Sequence, residues 1–322
     1  MSVLILSEHD VRRLLDMESC IEAMEEVLSA LARGELFQPL RVVARPPDAS
    51  GLIGLMPAHR AGDHPAYALK EIVVTPDNPT RGLDAHQGAV LLHDGRTGEL
   101  VAVLNASPVT EIRTAAVSAV ATRALGRADV ERVAILGAGV QARAHVHAMR
   151  AVLHDPEIRI WARNPDAAEK LAAEVGAVVS PSVDAALFGA EVVCTTTSSS
   201  EAIVERRWLG PGAHINAVGS SIPTARELDT QTVAESSLFV DRRESTLNEA
   251  GDFLLALAES GIGTDHIRAE LGEVLAGIHP GRQDEGELTL FKSLGIAVED
   301  LAAAELVVRR AREQGVGTEV EF

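Results

Sequence analysis

Two glycines at Gly-x-Gly-x-x-Ala spacing, Gly137-Ala138-Gly139-Val140-Gln141-Ala142, follow the short apolar run Val133-Ala134-Ile135-Leu136. The spacing suits phosphate chemistry. Gly137 allows a tight turn, Gly139 lets backbone approach a pyrophosphate, and Ala142 keeps the next helix close to its strand. The N-terminus of that helix offers unpaired N–H groups and a positive dipole end to an anion. The next strand, Ile158-Arg159-Ile160-Trp161-Ala162, ends at Arg163, 21 positions beyond Ala142. An acid at that place grips the 2′-hydroxyl of NAD, whereas an arginine accommodates a 2′-phosphate. With no acid present, the pattern reads as an NADPH site rather than one for NADH or NAD. The cofactor-side candidates are Thr114, Gly137, Gly139, Val140, Gln141, Arg163, Asn164, Thr196 and Val218. The plainer readings are an ordinary tight turn and an exposed arginine at a strand end.

Three basic residues, Arg41, Lys70 and Arg113, are candidates for an anion pocket. Arginine grips a carboxylate with a bidentate fork, and lysine supplies a movable charge and a proton. Lys70 interrupts a strand-like stretch that ends in Ile72-Val73-Val74. Arg113 immediately precedes the small-residue helix expected over residues 114–125, so its side chain and nearby N–H groups are both placed to face an anion. Each of the three also reads as a plain surface charge.

The elements that must position these residues fall into two patterns. Residues 7–34 read as helical, with Ser7 and Asp10 as a capping box, Asp16 as a possible break and Gly34 as the stop. Short strands separated by turn signals follow up to Leu104. The last two flank His93-Asp94-Gly95-Arg96-Thr97-Gly98 like a hairpin. Beyond Leu125 strand and helix patterns alternate, the βαβ rhythm of a doubly wound parallel sheet. Residues 213–218 and 238–240 supply further strands, and residues 298–312 form a last amphipathic helix whose Leu301, Leu306 and Val307 need a surface to cover. The fold class is therefore α/β: a Rossmann doubly wound parallel sheet domain plus an α+β domain.

Composition excludes several classes. The chain has 322 residues, 46% of them hydrophobic and 24% charged, and a net charge of −18. That length suits two globular domains, and the negative field argues against nucleic acid or an anionic membrane surface as partner. An anionic substrate then needs a local basic pocket. Cys20 and Cys194 provide neither a disulfide framework nor a zinc pair and read as small apolar side chains. No apolar run is long enough for a membrane span or signal segment, and the expected location is cytoplasmic. His145 and His147, two apart on a helix, do not share a face for a metal. Glu22, Glu25 and Glu26 read as a solvated helix face. His86 is a substrate-side candidate.

The ordered set Gln38-Pro39-Leu40-Arg41, Gly54-Leu55-Met56-Pro57-Ala58, Lys70, Arg113-Thr114-Ala115-Ala116-Val117-Ser118-Ala119, the glycine turn, Asn216-Ala217-Val218-Gly219 and the segment from Phe291-Lys292-Ser293 to Glu299-Asp300 resembles the ornithine cyclodeaminase/mu-crystallin family over nearly the whole chain. The resemblance implies a substrate-binding and dimerisation domain of residues 1–114 and 300–322, an NAD(P)-binding Rossmann domain of residues 115–299, and a homodimer. It also implies that Arg41, Lys70 and Arg113 hold a substrate carboxylate. Met56 becomes a pocket-lining candidate, its other reading being core. Lys292 either orders the site wall or packs structurally.

Two departures choose within the family. Where cyclodeaminases resemble one another in an acid before Leu-Met-Pro, this chain has Gly54. Where they carry an aspartate after Ala-Val-Gly, it has Ser221. A hydroxyl cannot act as a carboxylate base without its own activator. Both departures resemble the NADPH-dependent ketimine reductase, mu-crystallin-like branch. The expected reaction is hydride transfer to the C=N carbon of pyrroline-2-carboxylate or piperideine-2-carboxylate, giving the cyclic L-amino acid. Lys70 then serves as clamp or acid, and Ser221 either hydrogen-bonds the substrate nitrogen or only caps a loop. The competing expectations are an ornithine or lysine cyclodeaminase with bound NAD, an alanine-dehydrogenase-like oxidoreductase, and a non-catalytic NADPH-binding crystallin-type protein.

Overall fold

The computed structural model describes residues 2–322, which divide into two compact units. The first comprises the described residues up to Arg113 together with Gly295–Phe322, and the second is Thr114–Leu294. The divides thus fall at 113/114 and 294/295, whereas the sequence places them at 114/115 and 299/300. The later shift has a physical cause. Glu299 and Asp300 pair with Arg113 inside the first unit, so the segment leading to them belongs there.

In chain order the first unit begins with β1 (Ser2–Leu6), α1 (Glu8–Leu14) and α2 (Met17–Ala32). Ser7 and Asp10 form a reciprocal capping box at α1, and the Asp16 side chain caps α2 by accepting from Ser19 N, which is why one apolar stripe becomes two helices. Then come β2 (Leu36–Phe37), β3 (Val42–Ala44), β4 (Leu52–Arg60), β5 (Ala66–Val74), β6 (His86–Asp94) and β7 (Leu100–Asn105). The turn between β6 and β7 closes as a hairpin around Asp94 Oδ1, which accepts from the backbone N–H groups of Arg96 and Thr97.

α3 (Ala106–Leu125) starts eight residues earlier than the sequence suggests. Pro108 is harmless there, because it lies in the first turn, where an N–H has no helical partner. Asn105 Oδ1 accepts from Ser107 N at 3.0 Å. Arg113 consequently lies inside the helix, and its neighbouring N–H groups are committed to the helical ladder. The expectation that they face an anion is corrected.

The second unit continues with β8 (Arg132–Leu136), α4 (Val140–Val152), β9 (Glu157–Trp161), α5 (Pro165–Val175), β10 (Val178–Val179), α6 (Val183–Leu187), β11 (Val192–Thr195) and β12 (His214–Ala217). α7 (Thr230–Glu235), β13 (Ser237–Val240), α8 (Arg243–Glu249), α9 (Gly251–Ser260), β14 (Ile267–Glu270), α10 (Leu271–Leu275) and β15 (Thr289–Lys292) complete it. The chain returns to the first unit with α11 (Ala297–Gln314) and β16 (Thr318–Glu321).

Among the described residues the first unit's sheet runs β16-β1-β7-β6-β5-β4-β2, with β3 also on β4. Its neighbours are antiparallel except for β1 and β7. The register lines up Leu6, Leu104, Val90, Lys70 and Met56 in one row across five strands, all buried. α11 packs on β4, β5 and β6 and on α2, so its Leu301, Leu306 and Val307 are buried within the first unit.

The second unit's sheet is wholly parallel, in the order β10-β9-β8-β11-β12-β15-β13-β14. The chain runs outward from β8 to β10, then returns to β11 on the other side of β8. This reversal is the topological switch point at which open α/β sheets bind ligands, outside the carboxyl ends of the strands. The architecture is a Rossmann doubly wound domain plus an α+β domain.

Candidate active site

In the first unit β5, α3 and α11 each send charge into the apolar interior. Lys70 Nζ lies 2.8 Å from Asp300 Oδ2. Arg113 Nε lies 3.0 Å from the other oxygen, Asp300 Oδ1, and Arg113 Nη1 lies 2.5 Å from Glu299 Oε2. Asp300 therefore bridges the two cations, and the quartet is neutral as a whole. Lys70 and Asp300 are each 1% exposed, so neither Lys70 nor Arg113 is the plain surface charge that the sequence also allowed. Burial costs a lone ion several kcal/mol (roughly), and pairing of good geometry repays it.

Local sequence explains the fit. Gly295 has φ +75°, and a Cβ there would lie 2.5 Å from Arg113 Nη1, so the glycine makes room for the guanidinium. Gln38 is buried and its Oε1 accepts from Val298 N at 3.0 Å, holding the first turn of α11. Met56 is the register partner of Lys70 on β4 and shares its face. Arg41 lies half-buried on the segment between β2 and β3. His86 opens β6 and is exposed, its carbonyl accepting from Ser107 Oγ at 2.8 Å.

Burial pushes the Lys70 ammonium down, Asp300 pulls it back up, and Arg113 pushes it down again, leaving it at about 8. Lys70 is thus mostly protonated at neutral pH and gives up its proton within reach of it.

In the second unit the glycine turn joins β8 to α4. Gly137 has φ +129°, its N donates to Trp161 O at 2.7 Å, and a Cβ would lie 2.6 Å from Thr196 Oγ1. Any side chain at this position collides. Gly139 differs: it is the N-cap of α4 with φ −92°, and a Cβ would meet nothing within 4 Å. That open space lies over first-turn N–H groups which no side chain caps. A pyrophosphate fits such a cradle, which a Cβ would fill. Val140 and Gln141 form the first turn, and Ala142 is buried against the sheet side.

Arg163 follows β9, is exposed, and makes no hydrogen bond or ion pair among the described residues. Asn164 Oδ1 is engaged in capping α5, accepting from Asp166 N at 3.1 Å. Thr196 is tied to β8 through its N and Oγ1, which donate to Leu136 O at 2.8 and 3.0 Å. Val218 N donates to Thr195 O at 3.0 Å. Thr114 is buried on α3. Ser221 is exposed in the loop after β12, while its neighbour Ser220 is buried and donates to Ala225 O within that loop.

The structure also adds residues that the sequence did not single out. Glu299 and Asp300 could be suspected only from their place in the last motif. Glu227 is fully buried, and Asp252 is buried beside its backbone. Lys292 Nζ donates to Asp252 Oδ2 at 2.9 Å, so Lys292 is a buried structural ion partner. His145 is buried, its ring nitrogens bonded to Gln141 O and Ser118 Oγ at 2.7 and 2.9 Å. Both cysteines are unpaired and buried. Among the described residues no helix is long and apolar enough to cross a membrane.

Comparison with known proteins agrees with this geometry. The model of the ornithine cyclodeaminase/mu-crystallin family matches residues 1–315. Mouse ketimine reductase mu-crystallin is 41% identical over 292 residues, 89% of this chain and 90% of that protein. The structure of Thermococcus litoralis Delta(1)-pyrroline-2-carboxylate reductase in complex with NADH and L-proline superposes with a TM-score of 0.94 at 37% identity, covering 99% of this chain and 100% of the other. An archaeal alanine dehydrogenase dimer with bound NAD superposes with a TM-score of 0.94 at 31% identity over the full length of both chains. With the glycine cradle, the switch point and the Lys70–Asp300–Arg113 arrangement carried in one chain that the family model spans almost end to end, the protein belongs to the ornithine cyclodeaminase/mu-crystallin family.

Proposed function

We propose that this chain is an NADPH-dependent reductase of a cyclic ketimine carboxylate, pyrroline-2-carboxylate or piperideine-2-carboxylate, forming the cyclic L-amino acid. The observation that carries this reading is the absence of carboxylates where a cyclodeaminase needs them. Gly54 is buried two residues from Met56 on the face of Lys70, and a Cβ there would touch only Ile72, at 3.4 Å. Ser221 stands exposed in its loop. Neither place offers a base to activate an amine or a water, whereas imine reduction needs orientation and one proton. Activity as a ketimine or pyrroline-2-carboxylate reductase in similar proteins supports the same choice.

Bound NADPH supplies the hydride that the C=N carbon accepts. Arg41 and Arg113 hold the substrate carboxylate, Arg41 adding the positive charge that the neutral quartet lacks. Protonated Lys70 clamps the same carboxylate or gives its proton to the imine nitrogen, so that C=N becomes CH–NH. Met56 lines the pocket, and the Ser221 hydroxyl donates to the substrate nitrogen or to an ordered water. Gly137, Gly139, Val140 and Gln141 receive the pyrophosphate at the N-terminus of α4, with Thr114, Asn164, Thr196 and Val218 as further cofactor contacts. Arg163, exposed and without a protein partner among the described residues, meets the 2′-phosphate and selects NADPH over NADH.

The second face of the first unit's sheet points to a homodimer. Phe37, Val42, Ile53, Tyr67 and Val73 are exposed there, Phe37 at 66%. An apolar sheet face of this kind marks a protein interface, and a second copy covers it. The cytoplasmic reading is supported by two buried thiols that form no disulfide, as suits a reducing compartment.

Steady-state assays test the reading. NADPH oxidation with either imine, and formation of proline or pipecolate, is expected. Ammonia release from ornithine or lysine without net cofactor change, or turnover of NADH with a keto acid and ammonia alone, would replace it with the cyclodeaminase or the alanine-dehydrogenase-like reading. Tight NADPH binding with no turnover on any of these would leave a non-catalytic binding protein.

A further inference from the structure

Glu227 belongs to neither helix nor strand, yet it is fully buried and gathers four donors. Its Oε1 accepts from Thr197 N and Thr197 Oγ1, both at 2.7 Å. Its Oε2 accepts from Thr195 Oγ1 at 2.6 Å and from Gly219 N at 2.8 Å. Two of these donors are backbone N–H groups, which only an acceptor can satisfy. Thr195 and Thr197 flank Thr196 at the carboxyl end of β11. Gly219 follows Val218 at the carboxyl end of β12 and opens the loop that carries Ser221. A Cβ at Gly219 would overlap Thr197 O and Glu227 Oε1, so the carboxylate and the glycine are fitted to each other.

Glu227 is itself held from behind. Asp252 Oδ1 accepts from the N–H groups of Glu227 and Leu228 at 2.7 and 3.0 Å, and Asp252 Oδ2 accepts from Lys292 Nζ at 2.9 Å. Burial pushes the Glu227 carboxyl up, while Lys292 and the threonine hydroxyls hold it down. The chain thus places an acid, a second acid and a lysine in series beneath two loops at the switch point. Apolar packing would fill the same space without the cost of desolvating charge.

The side of the sheet on which these loops lie gives the network its meaning. The strand order β9-β8-β11-β12 puts the adenosine 2′ position at the end of β9 and the pyrophosphate at the end of β8. A dinucleotide that straddles the switch point lays its other half over β11 and β12. We propose that Glu227 is a positioning residue for the nicotinamide half of the cofactor, acting through the two loops it pins rather than by contact. The proposal rests on the dinucleotide reading of the second unit and adds a division of labour to it: Gly137, Gly139 and Arg163 hold the adenosine and phosphate half, and Glu227 shapes the place of the reacting ring.

The test compares whole and half ligands on the full-length protein. Equilibrium binding of NADPH and of 2′-phospho-ADP-ribose is measured for the native chain, Glu227→Gln and Thr195→Val, with thermal unfolding as a control. The glutamine amide meets a backbone N–H with a donor, so Glu227→Gln leaves a buried group unpaired. It should weaken NADPH roughly tenfold or more while leaving 2′-phospho-ADP-ribose unchanged. Thr195→Val keeps shape, removes one of the four donors and should give a smaller loss with the same selectivity, which decides the matter if Glu227→Gln does not fold. Equal weakening of both ligands would make the network a general fold element and overturn the proposal. Unchanged NADPH binding in both variants would overturn it as well. A native chain that binds neither ligand would instead reject the dinucleotide reading beneath it.

Discussion

Lys70 Nζ and Asp300 Oδ2 stand 2.8 Å apart in an apolar interior, one on an inner strand of a mostly antiparallel sheet and the other in the first turn of the helix that covers it. The second oxygen of Asp300 takes Arg113 Nε at 3.0 Å, so one carboxylate sets the geometry of both basic residues. The pair also sets the protonation of Lys70 in a pH range where chemistry is done. The groups facing it are Asp300 and Glu299 from α11 and Arg113 from α3, with His86 sensing its charge from β6.

If protonated Lys70 is the working form, imine reduction falls as pH rises through about 8. Asp300→Asn removes the attraction that opposes desolvation, so the alkaline limb of kcat/KM moves to lower pH. Stability has the opposite dependence. The Lys70 value lies below that of the unfolded chain, which therefore binds more protons between the two, and this group's contribution to folding improves as pH rises across that window. A pH–rate profile of both proteins checks the limb, and Lys70→Met should reduce turnover by about 100-fold or more if the lysine is the acid.

Arg163→Ala should weaken NADPH by about 2 kcal/mol, roughly 30-fold, the scale of one charge-assisted contact. NADH binding should stay nearly the same, because the arginine has no protein partner among the described residues to lose. Equal losses for both cofactors, measured by titration, would make the residue structural.

The two glycines of one motif should fail in different ways. Gly137→Ala forces a Cβ to 2.6 Å from Thr196 Oγ1 at φ +129° and should destabilise the fold by about 1–3 kcal/mol. Gly139→Ala meets open space at an ordinary φ, so its stability should stay within about 0.5 kcal/mol of the native chain while dinucleotide affinity falls. Denaturant unfolding and cofactor titration separate the two.

Arg113→Lys keeps the charge but cannot reach Glu299 and Asp300 together, since the native residue uses separate nitrogens for the two. It should cost about 2–4 kcal/mol by leaving one buried carboxylate short of its partner. Chemical denaturation reads the loss directly, and a change below about 0.5 kcal/mol would contradict the bridging role.

The parts of the molecule that were legible in the sequence are those that backbone geometry dictates. The glycine turn, its flanking strands and the Ser7–Asp10 cap follow from local sterics and hydrogen bonding, so Gly137, Gly139 and Arg163 could be placed by counting. The start of α3 is not legible, because in a sequence a proline in the first turn of a helix looks the same as one that ends a helix. The sequence does not show Asp300 and Glu299 as partners of Lys70 and Arg113, since acids in a helix read as a solvated face unless the sheet beneath is known. Glu227 has no periodicity to betray it. Its importance arises from loops that meet only when β11 and β12 pair in parallel.

The most direct test mixes purified protein with NADPH and pyrroline-2-carboxylate or piperideine-2-carboxylate and follows cofactor and product together. The account predicts that one NADPH is oxidised for each proline or pipecolate formed, with kcat/KM for NADPH above that for NADH. No NADPH oxidation with either imine, alongside release of ammonia from ornithine or lysine, would contradict it.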